Sequence, residues 1–157
     1  MNQLNFFKVD KPEHGGDLHQ GVRNALRPLA TDRPIHFVLK AKVPFKGDIG
    51  AVVLSEAKRL AESFGVKIYD HAVADDHVHL VLKIPHRRDY VKFIRSLTGL
   101  LSRRYGKGFW RQVPYTRVAH WGREYRALGK YLEKNRLEAA GDLPYKDRFF
   151  REEDLFE

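Results

Sequence analysis

Two histidines, His77 and His79, stand two residues apart in the run HVHLVLKI. On a strand, side chains alternate between faces, so both imidazoles point one way and Val78, Leu80, Leu82 and Ile84 the other. Two imidazoles side by side can chelate a divalent metal, with a third ligand drawn from elsewhere in the fold. Tyr131 and Asn135 form a second pair in REYRALGKYLEKNRLEAA, four apart and so on one face of a helix. Tyr131 lies beside the apolar line Trp121, Tyr125, Leu128, Leu132 and Ala139, and Lys130 and Lys134 flank it. A phenol with a pKa of about 10 is a poor nucleophile at neutral pH; cations and a metal close by favour the phenolate. Taken singly, an HxH pair is more often ordinary than metallic, and a helical tyrosine is more often core. The weight rests on their conjunction.

The surroundings of these residues are basic. The chain has 157 residues and a formal net charge of +9. Between Lys83 and Arg136, a stretch of 54 residues, 15 Lys and Arg stand against three acids, a net +12, and the remaining 103 residues carry −3. Tyr90, Phe93, Tyr105, Phe109, Trp110, Tyr115, Trp121, Tyr125 and Tyr131 are interleaved with that charge. Cationic groups bind phosphates and aromatic faces stack on unpaired bases, so this third of the chain points to single-stranded nucleic acid. Arg87, Arg88, Arg95, Arg103, Arg104, Lys107, Arg111, Arg117, Lys130 and Lys134 are the candidate phosphate contacts. A solvated helix face over an aromatic core is the bland alternative.

The elements that must position these residues follow from periodicity. Ile35–Ala41 reads as a buried strand. Ile49, Val53, Ala57, Leu60 and Phe64 follow a helical period, with Asp48 as cap and Gly65 as stop. Val66–Ala74 and His77–Ile84 read as strands of a hairpin turned at Asp75 and Asp76. Asp89 caps a second helix along Tyr90, Ile94, Leu97, Leu101 and Tyr105; Val113–His120 is a fourth strand; a third helix runs from about Arg123 to Ala139. This order predicts an α+β fold: the ferredoxin-like split β-α-β-β-α-β antiparallel sheet with an additional C-terminal helix carrying the tyrosine. Residues 1–33 read as an irregular N-terminal arm, residues 34–141 as the catalytic domain, and residues 142–157 as an acidic C-terminal tail.

Composition removes other classes. With no cysteine, a disulfide scaffold, a cysteine-ligated zinc site, an iron–sulfur cluster and a thiol nucleophile are all excluded. No apolar run approaches the roughly 18 residues that a membrane span needs. The segment MNQLNFFKVDKPEHGGD has neither the basic start nor the apolar stretch of a signal peptide, so a cytoplasmic protein is expected. No G-x-x-x-x-G-K occurs, so no phosphate loop for ATP is expected.

The stretch HAVADDHVHLVLKIP, followed by FWRQVPYTRVAHWGREYRALGKYLEKN, resembles the HUH single-tyrosine transposases, and within them the REP-associated branch related to insertion-sequence 200-type enzymes. The resemblance spans about residues 34–141 and rests on His77-Val78-His79, on Phe109, Trp110 and Gln112, and on Tyr131 followed by Asn135. It implies that His77 and His79 bind Mg²⁺ or Mn²⁺, with Asn135 as third ligand. It further implies that Tyr131 attacks a single-stranded DNA phosphate to form a 5′-phosphotyrosine link, probed best with hairpin-forming DNA. Insertion-sequence relatives act as dimers with exchanged tyrosines and REP-associated ones can be monomers, so the resemblance admits a homodimer. Two positions depart from the family: Asp76 stands where Asn often precedes the first histidine, and Arg136 stands where Pro follows the last ligand. An extra carboxylate at Asp76 would either help hold the metal or orient His77.

Two rivals remain at this stage. One is a non-catalytic RNA- or DNA-binding module, including a domesticated transposase that binds hairpin DNA and moves nothing. The other is a metal-dependent phosphohydrolase that activates water, and it would tolerate Tyr131→Phe.

Overall fold

The computed structural model describes residues 13–19 and 26–144. In chain order its elements are β1 (Glu13–His14), a 3-10 turn (Gly16–His19), β2 (Ile35–Lys40), α1 (Ile49–Ser63), β3 (Lys67–Val73), β4 (His77–Lys83), α2 (Arg87–Tyr105), β5 (Tyr115–Val118) and α3 (Arg123–Ala140). The five strands form one sheet in the order β1-β5-β2-β4-β3, every neighbouring pair antiparallel. From β2 onward this is the split β-α-β-β-α-β arrangement that the periodicities predict, with α3 added.

Alternation divides the sheet into two unlike faces. Ile35, Phe37 and Leu39 of β2 and Val78, Leu80 and Leu82 of β4 point to one side and are fully buried. There they meet Val53, Ala57 and Leu60 of α1 and Phe93, Leu97 and Leu101 of α2, which form the main core. Each such side chain contributes roughly 1.5–3 kcal/mol by leaving water. The opposite face is covered by α3, where a small second cluster of Ala72, Val81, Leu128, Tyr131 and Leu132 is buried. An ion pair ties this helix to the edge strand: Arg136 donates to Asp70 Oδ1 at 2.8 Å and to the His71 carbonyl at 2.6 Å.

Several local expectations shift. The second helix begins at Arg87, with His86 in the cap position and Asp89 inside the first turn. Asp48 occupies the cap position of α1, but its side chain makes no capping bond. Of the stretch Val113–His120, the strand proper is Tyr115–Val118. The largest departure lies in the arm. Glu13 and His14 add an edge strand to β5, with Glu13 opposite Arg117 and His14 opposite Thr116. Arg27 fixes this strand by donating to the Pro114 carbonyl and Thr116 Oγ1, each at 2.8 Å, and to the His14 carbonyl at 3.3 Å. Gly15 turns the chain at a φ of +82°, and a Cβ there would collide with the Pro114 carbonyl. The acidic tail lies outside the described residues from 145 onward.

Candidate active site

On β2 and β4 the face under α3 carries polar side chains where the other face carries only apolar ones. Strand pairing sets Glu13, Arg117, His36, Val81 and Asp70 in one row across the five strands. Tyr115, Val38, His79 and Ala72 form the next row, and Lys40 and His77 face each other beyond it. His36, His79 and Arg117 are all buried. The alternation that buries Phe37 and Leu80 in the main core is what aims the imidazoles the other way.

Three histidines gather here. The rings of His77 and His79 are 4.7 Å apart between centroids. His36, from the neighbouring strand, stacks on His79 at 5.3 Å, and its Nε2 lies 3.0 Å from His79 Nδ1, close enough for one proton to bridge them. Burial pushes the His36 pKa down to about 3, with Arg117 and then His77 adding to the shift. His79 is lowered well below the ordinary histidine value, first by burial and then by His36 and His77. Both rings therefore stay neutral at physiological pH and keep a lone pair.

Each histidine of the HxH pair has its Nδ1 engaged from behind. His77 Nδ1 lies 2.6 Å from Asp76 Oδ1. Asp76 is itself placed by Lys40 Nζ at 3.8 Å and by its carbonyl, which accepts from Ala41 N at 2.8 Å. His79 Nδ1 meets His36, which leaves His79 Nε2 buried and without a hydrogen-bond partner. An orphaned buried nitrogen is costly unless something fills it. The donor set fits a divalent cation: two imidazoles can present Nε2, and each is oriented through Nδ1 by a hydrogen-bond partner. Among the described residues no group of three or more His, Cys, Asp or Glu side chains is placed to hold a metal ion.

Tyr131 is brought to this cluster. Its ring stands edge-on to His79 at 5.6 Å and to His36 at 5.9 Å, and the residue is 8% exposed. Tyr115 approaches the same group from β5, edge-on to His36 at 5.9 Å. Burial and then Glu13 push the Tyr115 hydroxyl well above the ordinary tyrosine value, which disfavours its phenolate. Asn135 sits one turn beyond Tyr131, and its Nδ2 donates to the Tyr131 carbonyl at 2.8 Å. Only Oδ1 of that amide remains as a metal-type donor, and among the described residues no hydrogen bond joins it to the histidines.

The cationic residues divide between the layers. Arg87, Arg88, Arg95, Arg103 and Arg104 are exposed on α2, behind the sheet as seen from the histidines, and Arg87 donates to the Arg27 carbonyl at 2.7 Å. Lys107 and Arg111 are exposed on the connection to β5, and Lys130 and Lys134 are exposed on α3, beside Tyr131. Arg117 departs from the expectation of a surface phosphate contact: it is 3% exposed and donates to Glu13 Oε1 at 3.2 Å. Phe109 and Trp110 serve packing, since Phe109 joins the main core and the Trp110 indole donates to the Thr98 carbonyl at 3.2 Å. In the arm, Arg27 is a structural clamp, while Arg23 and the His19 side chain lie outside the described residues.

His36 is a member of this cluster that sequence reasoning did not assign to the site. Its signal was present: in IHFVLK, His36, Val38 and Lys40 alternate with Ile35, Phe37 and Leu39, which places His36 on the face of His79 once the strands pair.

A sheet of this order sets a histidine pair on β4 beneath a tyrosine from the covering helix. The profile of the family described as transposase IS200 like matches residues 32–134, about two-thirds of the chain, and the chain belongs to this family. Among solved structures, a REP-associated tyrosine transposase bound to a REP hairpin is similar with a TM-score of 0.61 at 12% identity, over 79% of this chain and 81% of that one. A candidate transposase from Deinococcus radiodurans R1 aligns with a TM-score of 0.47 at 18% identity, over 73% of this chain and 98% of that one. The first likeness shows the fold. No curated protein matches the chain. No helix among the described residues is long and apolar enough to cross a membrane.

Proposed function

We propose that this transposase-family chain nicks and rejoins single-stranded DNA through Tyr131, at hairpin-forming sites. The observation that carries the reading is the placement of Tyr131, from the last helix, edge-on to His79 and His36. The REP hairpin bound by the structurally similar transposase supports hairpin DNA as the partner here.

His77 and His79 would hold the cation through Nε2, and Asn135 Oδ1 would complete the protein ligands after a side-chain rotation that frees it from its own helix. Bound there, Mg²⁺ or Mn²⁺ would supply Lewis-acid polarisation of the scissile phosphate. Asp76 and His36 accept the Nδ1 protons and so fix the tautomer that leaves both Nε2 lone pairs free. The Tyr131 oxygen attacks phosphorus as its own proton departs, the bond from phosphorus to O3′ breaks, and the O3′ takes up a proton. The products are a 5′-phosphotyrosine and a free 3′-OH. The phosphate ester is kept, so the reverse attack rejoins DNA without a nucleotide cofactor. Lys130 and Lys134 are exposed on α3 beside Tyr131 and favour the approaching phosphate backbone.

A second reading draws on the burial of Tyr131 and the self-bonded amide of Asn135: a binding module that recognises hairpin DNA and cuts nothing. Hairpin-bearing DNA labelled at its 3′ end, incubated with Mn²⁺ and resolved on a denaturing gel, separates the readings. Wild type should give a labelled protein band that Tyr131→Phe and His77→Ala both lose. Cleavage that persists in Tyr131→Phe without an adduct would establish water as the nucleophile. Binding with neither adduct nor cleavage would establish the binding module.

A further inference from the structure

A patch of aromatic residues lies at the other end of α3: Tyr125 packs against the small cluster under that helix, and Trp121 and Tyr69 extend from it toward solvent. Trp121, just before the helix, is 43% exposed, and Tyr69, on the edge strand, is 42% exposed. Trp121 is 5.4 Å from Tyr69 and 5.1 Å from Tyr125, and Tyr69 is 6.3 Å from Tyr125, all edge-to-face. The patch is held in place. The Trp121 indole donates to the Asp32 carbonyl at 2.7 Å. Tyr69 is the residue left over where the β3–β4 register shifts between Ile68 and Asp70, and that irregularity turns it outward toward α3.

The same end of the sheet is cationic. Lys67 and Lys83 face each other across β3 and β4 in the alternation that carries His77, His79 and Val81, so they lie on the α3 side. Arg123 and Arg126 are exposed in the first turn of α3, where the helix dipole adds further positive potential. The acid in that turn, Glu124, is engaged at the helix start, where its Oε2 accepts from His120 N at 2.7 Å. Rigid, half-exposed aromatic faces ringed by cations match an unpaired base on a phosphate backbone. Tyr125 lies six positions before Tyr131, about 9 Å along the helix.

We propose that Tyr69, Trp121 and Tyr125 form a stacking platform for an unpaired base of the DNA strand that flanks the hairpin. The proposal rests on single-stranded DNA being the partner, and not on cleavage. Stacking of this kind tolerates any base, so the platform would fix the position of the strand relative to Tyr131 without reading its sequence.

The test is made without metal, so that nothing is cut. Fluorescence anisotropy compares a hairpin carrying a single-stranded flank with the stem alone. Trp121→Ala should lower affinity for the flanked hairpin about ten-fold and leave the stem unaffected, and Trp121→Phe should keep most of the affinity because a ring remains. A flank with abasic sites should weaken wild type to the same degree, which keeps the test sound if Trp121→Ala disturbs α3. Equal affinity of wild type for the intact and abasic flanks overturns the platform, whether or not the enzyme cuts DNA. Wild type that binds neither oligonucleotide overturns the platform together with the DNA partner. Preference for the intact flank, without any adduct once Mn²⁺ is added, leaves the platform standing and overturns only the nicking reaction.

Discussion

The two faces of the sheet solve different problems. Against α1 and α2, Ile35, Phe37, Leu39, Val78, Leu80 and Leu82 are all fully buried and apolar. Against α3, the same two central strands present His36, His79 and His77, and the apolar cluster holding the helix is far smaller. The first face gives the fold its stability. The second gives up apolar packing to hold a cluster of imidazoles, His79 with an orphaned nitrogen, under a tyrosine. One residue of alternation separates the two, so the strands that make the core cannot avoid also making the site. The expectations below are chosen to pull the faces apart.

The largest effect belongs to the main core. Phe37→Ala should destabilise the domain by about 3–5 kcal/mol, read as a shift in the urea midpoint. A change confined to α3, with the rest of the fold intact, would contradict the division. On the other face, His36→Phe keeps a ring in the site and removes the partner of His79 Nδ1. It should weaken Mn²⁺ binding by about 10–100-fold, read by calorimetry or by the electron-spin signal of free Mn²⁺. Unchanged affinity would show that His36 does not set the His79 tautomer.

The neutral histidines also make stability depend on pH. His36 titrates at about 3 in the folded protein and His79 is likewise depressed, so the unfolded chain takes up protons first. Their contribution is complete above a pH of about 6.5 and is lost progressively as pH falls from there toward the folded values. Urea midpoints of the metal-free protein should therefore drop on moving from neutral to mildly acid buffer. His36→Phe should flatten that drop, and an identical slope in the variant would show that the pair contributes nothing to it. The smallest effect is expected at the helix clasp. Arg136→Ala removes the bonds to Asp70 and the His71 carbonyl and should cost about 1 kcal/mol. Amide exchange should quicken in α3 and leave β2 and β4 unchanged. Uniform quickening would mean that the two faces unfold as one.

The framework was legible in the sequence because each element carries its own period. HVHLVLKI shows both faces of its strand, and the line Tyr90, Ile94, Leu97, Leu101 and Tyr105 faces the main core from α2, where Phe93 joins it from outside that line. What was not legible depends on pairing between distant segments. Glu13 and His14 have no pattern of their own; they become a strand because Arg27 and Arg117 bind them. Arg117 counts as a surface cation by type, yet its register opposite His36 turns it inward. The irregularity at Tyr69 and the amide orientation of Asn135 are likewise settled only when β4 and α3 are in place. The His77, His79 and Tyr131 constellation was visible in the sequence, whereas the partners behind it, His36 and Asp76, emerged as a set only from the fold.

The central claim is that Tyr131, and no other tyrosine, is the nucleophile of the histidine face. Mass spectrometry of the protein after reaction with hairpin DNA, nuclease trimming and proteolysis tests it directly, because the short segment between Lys130 and Lys134 contains Tyr131 alone among the tyrosines. The account predicts a nucleotide phosphate on Tyr131. A phosphate on Tyr115 or Tyr125, or cleaved DNA with every tyrosine unmodified, would contradict it.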